Sequence, residues 1–324
     1  MNSSLVTVFG GTGFLGRHTV RALARAGYRI RVAVRYPNHG FFLRPMGHVG
    51  QIDLVKCNVR NVDQVAAAVS GADAVINLTG ILYQRGRQRF AAVHVDAAAA
   101  IARAAHAADA TALVHVSAIG ADPAAASSYA ASKGEGEERV RAAFAEAVIL
   151  RPSIMFGPED DFFNRFAALA RLLPALPLVG GGHTRFQPVF VGDVAAAIVR
   201  CVADRATRGQ TYELGGPTVY TFKELMQIVL HETCRKRVLL PIPFSVATLQ
   251  ALFLQFLPKP LLTPDQVTLL KSDNVVTSEN TLATLGIVPT SVEAELPAYL
   301  WRFRPKGQYD AVVRDKIIAT QAPQ

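Results

Sequence analysis

Two side chains capable of acid–base chemistry are spaced so that one helical face holds both. Tyr129 and Lys133 stand four residues apart, and side chains at that spacing are neighbours on a helix. A tyrosine titrates near pH ~10 in water, so it needs a nearby cation to exchange protons at neutral pH. The Lys133 ammonium supplies that cation and can also hold a nucleotide ribose. Ser117 ends a preceding apolar run and can hydrogen-bond a reacting oxygen, so the pattern predicts a Ser117, Tyr129 and Lys133 catalytic group.

A glycine-rich turn near the N-terminus predicts a phosphate-binding site. Gly10, Gly13 and Gly16 follow the apolar run 5–9 and open a segment with helical spacing. Glycines there permit a tight turn, approach of the backbone to a pyrophosphate, and close packing of helix on strand. The helix N-terminus adds unpaired N–H groups and a partial positive charge. The predicted contacts in this turn are Gly10, Thr12, Gly13, Phe14, Leu15, Gly16 and Arg17.

The end of the second predicted strand favours NADP(H) over NAD. Proteins that bind NAD usually place a carboxylate there for the ribose 2′-hydroxyl. The run 31–36 contains no acidic residue, and Arg35 ends the strand. A guanidinium pairs with a 2′-phosphate through its planar fork of donors. Arg17 can add a second positive charge, so both arginines are predicted cofactor residues.

The alternation of apolar runs and helical patterns predicts a doubly wound parallel sheet. Such an order is typical of parallel strands joined by crossover helices, the Rossmann arrangement. Pro188–Val191 is predicted as a strand that returns to the sheet. Thr221 and Glu224 form a capping-box pattern at the start of a later helix. The predicted strands are 5–9, 29–34, 54–59, 74–78, 113–116 and 147–150, and predicted helices include 14–26 and 91–108.

Beyond Pro158 the alternation loosens, which predicts a second, smaller and mostly helical lobe. The predicted division of the chain is a dinucleotide-binding domain over 1–157 with 188–215 returning to it, a lobe over 158–187 and 216–304, and a tail over 305–324.

The amino-acid composition excludes several classes of protein. Three scattered cysteines, Cys57, Cys201 and Cys234, argue against a disulfide framework and a zinc site, and predict a reducing compartment and no metal. The net charge is +9, but basic residues are scattered and aromatics do not interleave with them. We therefore expect no nucleic-acid partner. The predicted first strand begins within a few residues of Met1, so we expect no signal peptide and a cytoplasmic protein.

The segment 238–258 has no charged residue and approaches the ~20 residues that a membrane span needs. Pro241 and Pro243 interrupt its first third, and polar residues interrupt the rest. We interpret it as a buried or half-buried helix. The alternative is a helix lying against a membrane surface or a hydrophobic partner.

Together these motifs resemble the extended and atypical short-chain dehydrogenase/reductase superfamily, over roughly residues 5–301. Residues 151–158 resemble its segment beside the nicotinamide, and 191–194 resemble the turn that begins its next helix. Asn58 is a departure, since the superfamily often has an aspartate near the adenine. The resemblance implies a doubly wound sheet with a small C-terminal lobe. It extends the predicted cofactor contacts to Asn58, Val59, Leu78, Thr79, Gly80, Tyr129, Lys133, Pro152 and Ile154.

A narrower resemblance rests on the runs 13–17, 151–160 and 186–191, which are similar to the NADPH-binding accessory subunits of respiratory complex I and their bacterial relatives. It implies a nucleotide held structurally, with Ser117, Tyr129 and Lys133 kept without a catalytic task. It also implies contacts with core subunits of complex I and a peripheral position on the cytoplasmic side of the inner membrane, with membrane contact through 238–258.

Two other functions stay open. A free NADPH-dependent reductase or epimerase, acting for example on a quinone precursor, is favoured by the retention of all three predicted catalytic residues. A redox-sensing regulator that binds NADPH and a protein partner has no feature in its favour. The sequence alone therefore leaves open whether the chain is an enzyme.

Overall fold

The computed structural model describes residues 4–257 and 260–310 of the 324-residue chain. Its strands are β1 (Leu5–Phe9), β2 (Arg29–Val34), β3 (Ile52–Lys56), β4 (Ala74–Asn77), β5 (Ala112–Val116), β6 (Val148–Pro152), β7 (Met155–Phe156), β8 (Ala175–Val179), β9 (Arg185–Phe186), β10 (Val189–Phe190), β11 (Thr211–Leu214), β12 (Tyr220–Thr221) and β13 (Val238–Ile242). Its α-helices are α1 (Phe14–Arg25), α2 (Val62–Val69), α3 (Ala97–Ala107), α4 (Ser128–Ala143), α5 (Phe163–Leu172), α6 (Val191–Ala203), α7 (Phe222–Glu232), α8 (Phe244–Leu254), α9 (Pro264–Leu269) and α10 (Val292–Leu300).

Seven strands form one parallel sheet in the order β11-β6-β5-β4-β1-β2-β3. Val8 of β1 pairs with Val32 on one side and with Ile76 on the other. The chain thus winds outward from β1 to β3 and then restarts on the opposite side of β1 with β4. That reversal opens a crevice at the carboxyl ends of β1 and β4. The predicted doubly wound fold is confirmed.

Helices bury both faces of the sheet, which explains why its strands are almost continuously apolar. On one face, Val8 and Val32 belong to a buried cluster with Val20 of α1 and Ile198 of α6. The opposite face is covered by α2, α3 and α4, with Ile101 of α3 fully buried. The glycine turn between β1 and α1 is therefore fixed by a packed core on each side.

The smaller C-terminal lobe has its own apolar core, built mainly by α5, α7 and α10. Phe163, Leu225 and Leu296 are fully buried there. The capping box predicted at the start of α7 is confirmed: Thr221 Oγ1 accepts from Glu224 N–H at 3.2 Å, and a Glu224 oxygen accepts from Thr221 N–H at 2.7 Å. Two short ribbons, β8 with β13 and β9 with β12, complete the lobe.

Two local predictions were wrong. Only Val189–Phe190 of the run 188–191 is a strand, and it pairs with β7 outside the large sheet, because α6 begins at Val191. The strand that extends the sheet beside β6 is β11. The segment 238–258 is not one helix, because β13 ends just before Pro243 and α8 follows it, with only Ala247 and Ala251 buried.

Two sequence predictions extend past the part of the chain that the structure describes. Pro258, the last residue of the uncharged segment, and residues 311–324 of the predicted tail lie outside it. Within residues 4–257 and 260–310, no helix has the length and apolar character required to cross a bilayer.

Candidate functional site

The predicted site residues converge on one edge of the sheet. Parallel strands place their carboxyl ends together, and predicted residues follow the end of each strand from β1 to β6 within three residues. The residues at this edge are Gly10 after β1, Arg35 after β2, Asn58 after β3, Leu78 to Gly80 after β4, Ser117 after β5 and Ile154 after β6. These residues, which follow six different strands, therefore line a crevice at the point where the strand order reverses.

The three glycines of the turn have three different physical roles. Gly10 has φ +80°, and an added Cβ would lie 3.0 Å from the Leu78 carbonyl, so this position brings β1 against the end of β4. A Cβ on Gly16 would lie 2.2 Å from Gly10 O, which only a glycine avoids. A Cβ on Gly13 would meet only Gly10 O, at 3.3 Å. The space above Gly13 is open, as the approach of a pyrophosphate requires.

The N-terminus of α1 is prepared for an anion. Its N-cap is Gly13, no side chain caps it, and its first turn contains no acidic residue. The first N–H groups of a helix have no partner inside the helix. Together with the partial positive charge of the helix end, they fit a phosphate group. Phe14, Leu15 and Gly16 supply these N–H groups, so the residues present fit a dinucleotide.

The two arginines predicted to bind a 2′-phosphate differ in their surroundings. Arg17 Nη1 contacts Glu159 Oε1 at 3.2 Å, and its guanidinium lies 5.1 Å from the centre of the Phe42 ring. Arg35 is exposed, and no residue in the described ranges hydrogen-bonds or ion-pairs with it. Arg35 is thus available for an anionic ligand, whereas Arg17 already pairs with a carboxylate.

The remaining predicted cofactor residues have mixed environments. Thr79 is anchored by Asn77, whose Oδ1 accepts from its N–H at 3.0 Å. The Asn58 side chain accepts from Arg60 N–H at 3.2 Å and so turns back to its own loop. Pro152 is buried, while Val59 and Ile154 are half-buried. The cofactor contacts at Thr12, Asn58, Val59, Leu78, Pro152 and Ile154 stay predictions.

The structure brings Lys133 next to the edge where Ser117 and Gly80 lie. Lys133 Nζ donates to Val116 O at 3.1 Å, and a Cβ on Gly80 would lie 3.5 Å from Nζ. Ser117 Oγ is buried without a hydrogen-bond partner among the described residues. Buried polar atoms are normally hydrogen-bonded. The unpaired hydroxyl therefore indicates a position where a ligand or a water would bind.

Burial dominates the titration of the predicted catalytic pair. It lowers the pKa of Lys133 to about 8 and raises the pKa of Tyr129 to about 12. The lysine was expected to lower the pKa of Tyr129, but that pKa is raised, because burial removes water from the phenolate. A tyrosine with a pKa of about 12 is poorly matched to proton exchange at neutral pH.

His94, which sequence reasoning missed, connects the loop after β4 with α4. Its Nε2 accepts from Ile81 N–H at 3.0 Å, so its proton is on Nδ1, which lies 2.9 Å from Ser132 Oγ. Ser132 in turn donates to Tyr129 O at 2.8 Å. Burial lowers the pKa of His94 to about 3, so it stays neutral. It lies in a π-helical turn, Ala91–Asp96, that precedes α3.

His115 is a second missed residue. Asn77 Nδ2 donates to its Nδ1 at 3.0 Å, which places the imidazole proton on Nε2. That Nε2 atom is buried and has no partner among the described residues. Burial lowers the pKa of His115 to about 3. A lone histidine inside an apolar strand gave no signal in the sequence.

Asp265 is the third missed residue, and it lies in the C-terminal lobe. Its carboxylate accepts from the Ser127 hydroxyl at 2.9 Å and from the N–H groups of Ser128 at 2.7 Å and Tyr129 at 3.1 Å. A carboxylate at a helix N-terminus is stabilising. Asp265 thereby fixes the start of the helix that carries Tyr129 and Lys133, 136 residues away in sequence.

Within the described residues, no three His, Cys, Asp or Glu side chains cluster in a way that could hold a metal ion. Cys57 and Cys201 are buried, and Cys234 is exposed. Burial raises the pKa of Cys57 to about 11, which keeps its thiol protonated.

Comparisons with known proteins match this architecture. Residues 6–215 match the NAD dependent epimerase/dehydratase family. NADH dehydrogenase (ubiquinone) 1 alpha subcomplex subunit 9, mitochondrial, of Arabidopsis thaliana is 36% identical over 332 residues, covering 97% of this chain and 81% of the relative. Ceramide reductase of Caulobacter vibrioides is 38% identical over 196 residues, 60% of each chain.

Solved structures share the fold. A triphenylmethane reductase from Citrobacter sp. superposes with a TM-score of 0.75 at 19% identity, covering 91% of this chain and 99% of that chain. The superfamily resemblance deduced from the glycine turn and the Tyr129–Lys133 pair is confirmed. The chain belongs to the NAD dependent epimerase/dehydratase family, and within it to the group that contains the alpha subcomplex subunit 9 proteins.

Proposed function

We propose that this chain is an accessory subunit of NADH:ubiquinone oxidoreductase (respiratory complex I) that holds NADP(H) as a structural ligand. The observation that carries the proposal is the 36% identity to the Arabidopsis thaliana subunit across 97% of the chain. A match confined to the glycine turn and sheet would indicate only a nucleotide-binding fold. This one extends through the C-terminal lobe, where a partner-specific surface is expected.

The nucleotide part of the proposal rests on three local features. The uncapped N-terminus of α1 and the open space above Gly13 suit a pyrophosphate. The run 31–36 has no carboxylate for a ribose 2′-hydroxyl. Arg35, exposed and without a described partner, suits a 2′-phosphate. These features favour NADP(H) over NAD.

A structural role for the nucleotide is favoured by the state of Tyr129. Its pKa of about 12 opposes proton transfer at neutral pH. A ligand whose free concentration is 100 times its dissociation constant adds about 2.7 kcal/mol to the free energy of unfolding. Bound NADP(H) would therefore stabilise both the sheet and the crevice without any turnover.

The proposal also gives the chain a location and assigns separate parts of the chain to nucleotide binding and to partner binding. The chain would lie peripherally on the cytoplasmic side of the inner membrane, in contact with core subunits of complex I. Residues 1–157 and 188–215 would hold the nucleotide, and residues 158–187 and 216–304 would form the lobe that faces the partner.

Affinity isolation of the tagged full chain from detergent-solubilised membranes tests the proposal. We expect core subunits and NADH:quinone activity to co-purify with the chain, and NADP(H) to be released from it on denaturation. Recovery of the chain alone in the soluble fraction, with no complex I subunit attached, would exclude the accessory role.

A free NADPH-dependent reductase is the second candidate. One observation favours it: Ser117 Oγ is buried, unpaired within the described residues and positioned after β5 near Lys133. A relative over 60% of the chain, from Caulobacter vibrioides, is named ceramide reductase, that is, for a reductase activity. A soluble NADPH-consuming activity of the purified chain that disappears in Ser117→Ala would favour this candidate.

A further inference from the structure

The loops that follow three neighbouring strands of the large sheet carry basic residues and no acidic ones. These loops are residues 35–51 after β2, 57–61 after β3 and 78–90 after β4. None of them contains an aspartate or a glutamate. Because parallel strands end at one edge of the sheet, the three loops border the same crevice. We name their arginines the arginine rim, and its members are Arg35, Arg44, Arg60, Arg85, Arg87 and Arg89.

Half of the arginine rim lies on or directly after one tight turn in the loop that follows β4. Arg85 and Gln88 exchange backbone hydrogen bonds of 3.0 and 2.9 Å across this turn. Arg60 Nη1 donates to the Arg87 carbonyl at 3.1 Å, so the turn is attached to the loop after β3. These bonds hold the arginines of two loops together at the carboxyl edge of the sheet.

Few carboxylates lie near the arginine rim. Arg60, Arg87 and Arg89 are exposed, and none of them forms an ion pair with another residue that the structure describes. The acidic residues on the elements that flank the three loops are Asp53 of β3, Asp63 of α2 and Asp96 of the π-helical turn. Across the crevice the acidic residues are Asp122, Glu159, Asp160, Asp161 and Asp265. Six arginines against three flanking carboxylates leave the β2–β4 side of the crevice positively charged.

This charge distribution can act on a ligand before the ligand binds. A cleft bordered by one sign of charge, between walls of low dielectric constant, increases the association rate of an oppositely charged ligand by about 10-fold to 1,000-fold. The uncapped N-terminus of α1 lies at the same edge and offers a site for the anion once it has arrived. A phosphorylated small molecule therefore suits the arginine rim better than an acidic protein does, because the prepared anion site lies inside the crevice.

We propose that the arginine rim steers phosphorylated nucleotides, NADPH above all, into the crevice and so determines their rate of association. The N-terminus of α1 and Arg35 determine how long the nucleotide stays bound, and the other rim arginines act through the long-range field. NADPH carries a 2′-phosphate that NADH lacks, so its association gains more from the rim. This inference rests on the nucleotide part of the proposed function.

Stopped-flow mixing of the purified full chain with NADPH, followed by NADPH fluorescence, tests the proposal. At low ionic strength, the double variant Arg87→Gln/Arg89→Gln should lower the association rate constant about threefold to tenfold. Its dissociation rate constant should change by less than about twofold, because rim charges act mainly on association. The difference from the wild type should vanish at about 1 M salt, where the Debye length is about 3 Å. For NADH the loss should be smaller than for NADPH.

The matched control is the double variant Arg25→Gln/Arg29→Gln, which removes the same charge from the opposite edge of the sheet. Arg25 ends α1 and Arg29 begins β2, and both are exposed. This variant should keep both rate constants of the wild type. Arg35→Ala should instead increase the dissociation rate constant, which separates holding of the nucleotide from steering.

Each contrary result has a distinct meaning. An unchanged association rate constant in Arg87→Gln/Arg89→Gln, or an equal loss in the control variant, would overturn the steering role and leave the nucleotide site standing. A wild-type chain that binds no NADPH would remove both this inference and the proposed nucleotide. If the rim variant loses complex I subunits while its association rate constant stays unchanged, the inference is wrong and the arginines belong to an acidic protein interface.

Discussion

Asp265 of α9 accepts a hydrogen bond from the Tyr129 N–H of α4 at 3.1 Å, across the two lobes. The same carboxylate accepts from Ser127 Oγ and Ser128 N–H. One acidic side chain of the C-terminal lobe therefore completes the N-terminus of the helix that borders the nucleotide crevice. This contact makes the position of α4 depend on the lobe that we assign to partner binding.

Replacement of Asp265 should measure this coupling. Asp265→Ala removes charged hydrogen bonds to two N–H groups and a hydroxyl, so the free energy of unfolding should fall by about 1.5–3 kcal/mol. Chemical denaturation provides the measurement. Glu135→Ala is the control on the same helix, because Glu135 forms only an exposed pair with Arg139 at 3.6 Å and should change stability by about 0.5 kcal/mol or less. Equal effects of the two variants would show that Asp265 is only a surface residue.

The second and third glycines of the turn, Gly13 and Gly16, should separate nucleotide binding from folding. Gly13→Val adds a Cβ that meets only Gly10 O, at 3.3 Å, so the fold should survive while the added side chain blocks the pyrophosphate. Gly16→Val forces a Cβ to 2.2 Å from Gly10 O, so the chain should be destabilised by about 3 kcal/mol or more. Thermal unfolding and calorimetric titration with NADPH distinguish the outcomes. Normal NADPH binding by Gly13→Val would place the phosphates elsewhere.

Arg35 should determine the choice between the two nicotinamide nucleotides. Arg35→Ala should weaken NADPH binding by about 1.5–3 kcal/mol, the value of a hydrogen bond to a charged group, and leave NADH binding unchanged. Arg29→Ala, an exposed arginine at the start of the same strand, should affect neither nucleotide. Equal losses for NADPH and NADH in calorimetry would contradict the assignment.

The pKa of Lys133 should appear in the pH dependence of stability. Burial lowers it from 10.5 to about 8, so between these pH values the unfolded chain binds more protons than the folded chain. The free energy of unfolding should therefore rise with pH in that window. Relative to Lys133→Met, the unliganded wild type should gain about 2 kcal/mol between pH ~8 and pH ~9.5. A difference that stays constant with pH would show that Lys133 titrates normally.

Local patterns in the sequence predicted the sheet and the glycine turn because the forces that form them act over short stretches. The spacing of Gly10, Gly13 and Gly16 reflects one turn and one helix end, and the Thr221–Glu224 capping box spans a single turn. Continuous apolar runs likewise predicted strands that are buried on both faces of the sheet. These features require no knowledge of distant partners.

Contacts between distant segments could not be predicted in this way. Asp265 and Tyr129 are 136 residues apart, and Arg17 and Glu159 are 142 apart. Nothing near either residue in sequence indicates its partner. The pKa of Tyr129 also depends on burial by the assembled fold, which outweighs the lysine four residues away. The sequence left open whether the segment 238–258 is buried or lies at a surface, because an uncharged segment has the same composition in both cases.

The content of complex I in membranes tests the central claim most directly. Gly13→Val and Tyr129→Phe should be introduced separately into the chromosomal gene, and assembled complex I and NADH:quinone activity measured for each. An accessory subunit that needs its nucleotide for stability should lose assembled complex I in Gly13→Val and retain it in Tyr129→Phe. If both variants leave the complex intact while a soluble NADPH-dependent activity disappears in Tyr129→Phe, the account is contradicted and the chain is a reductase.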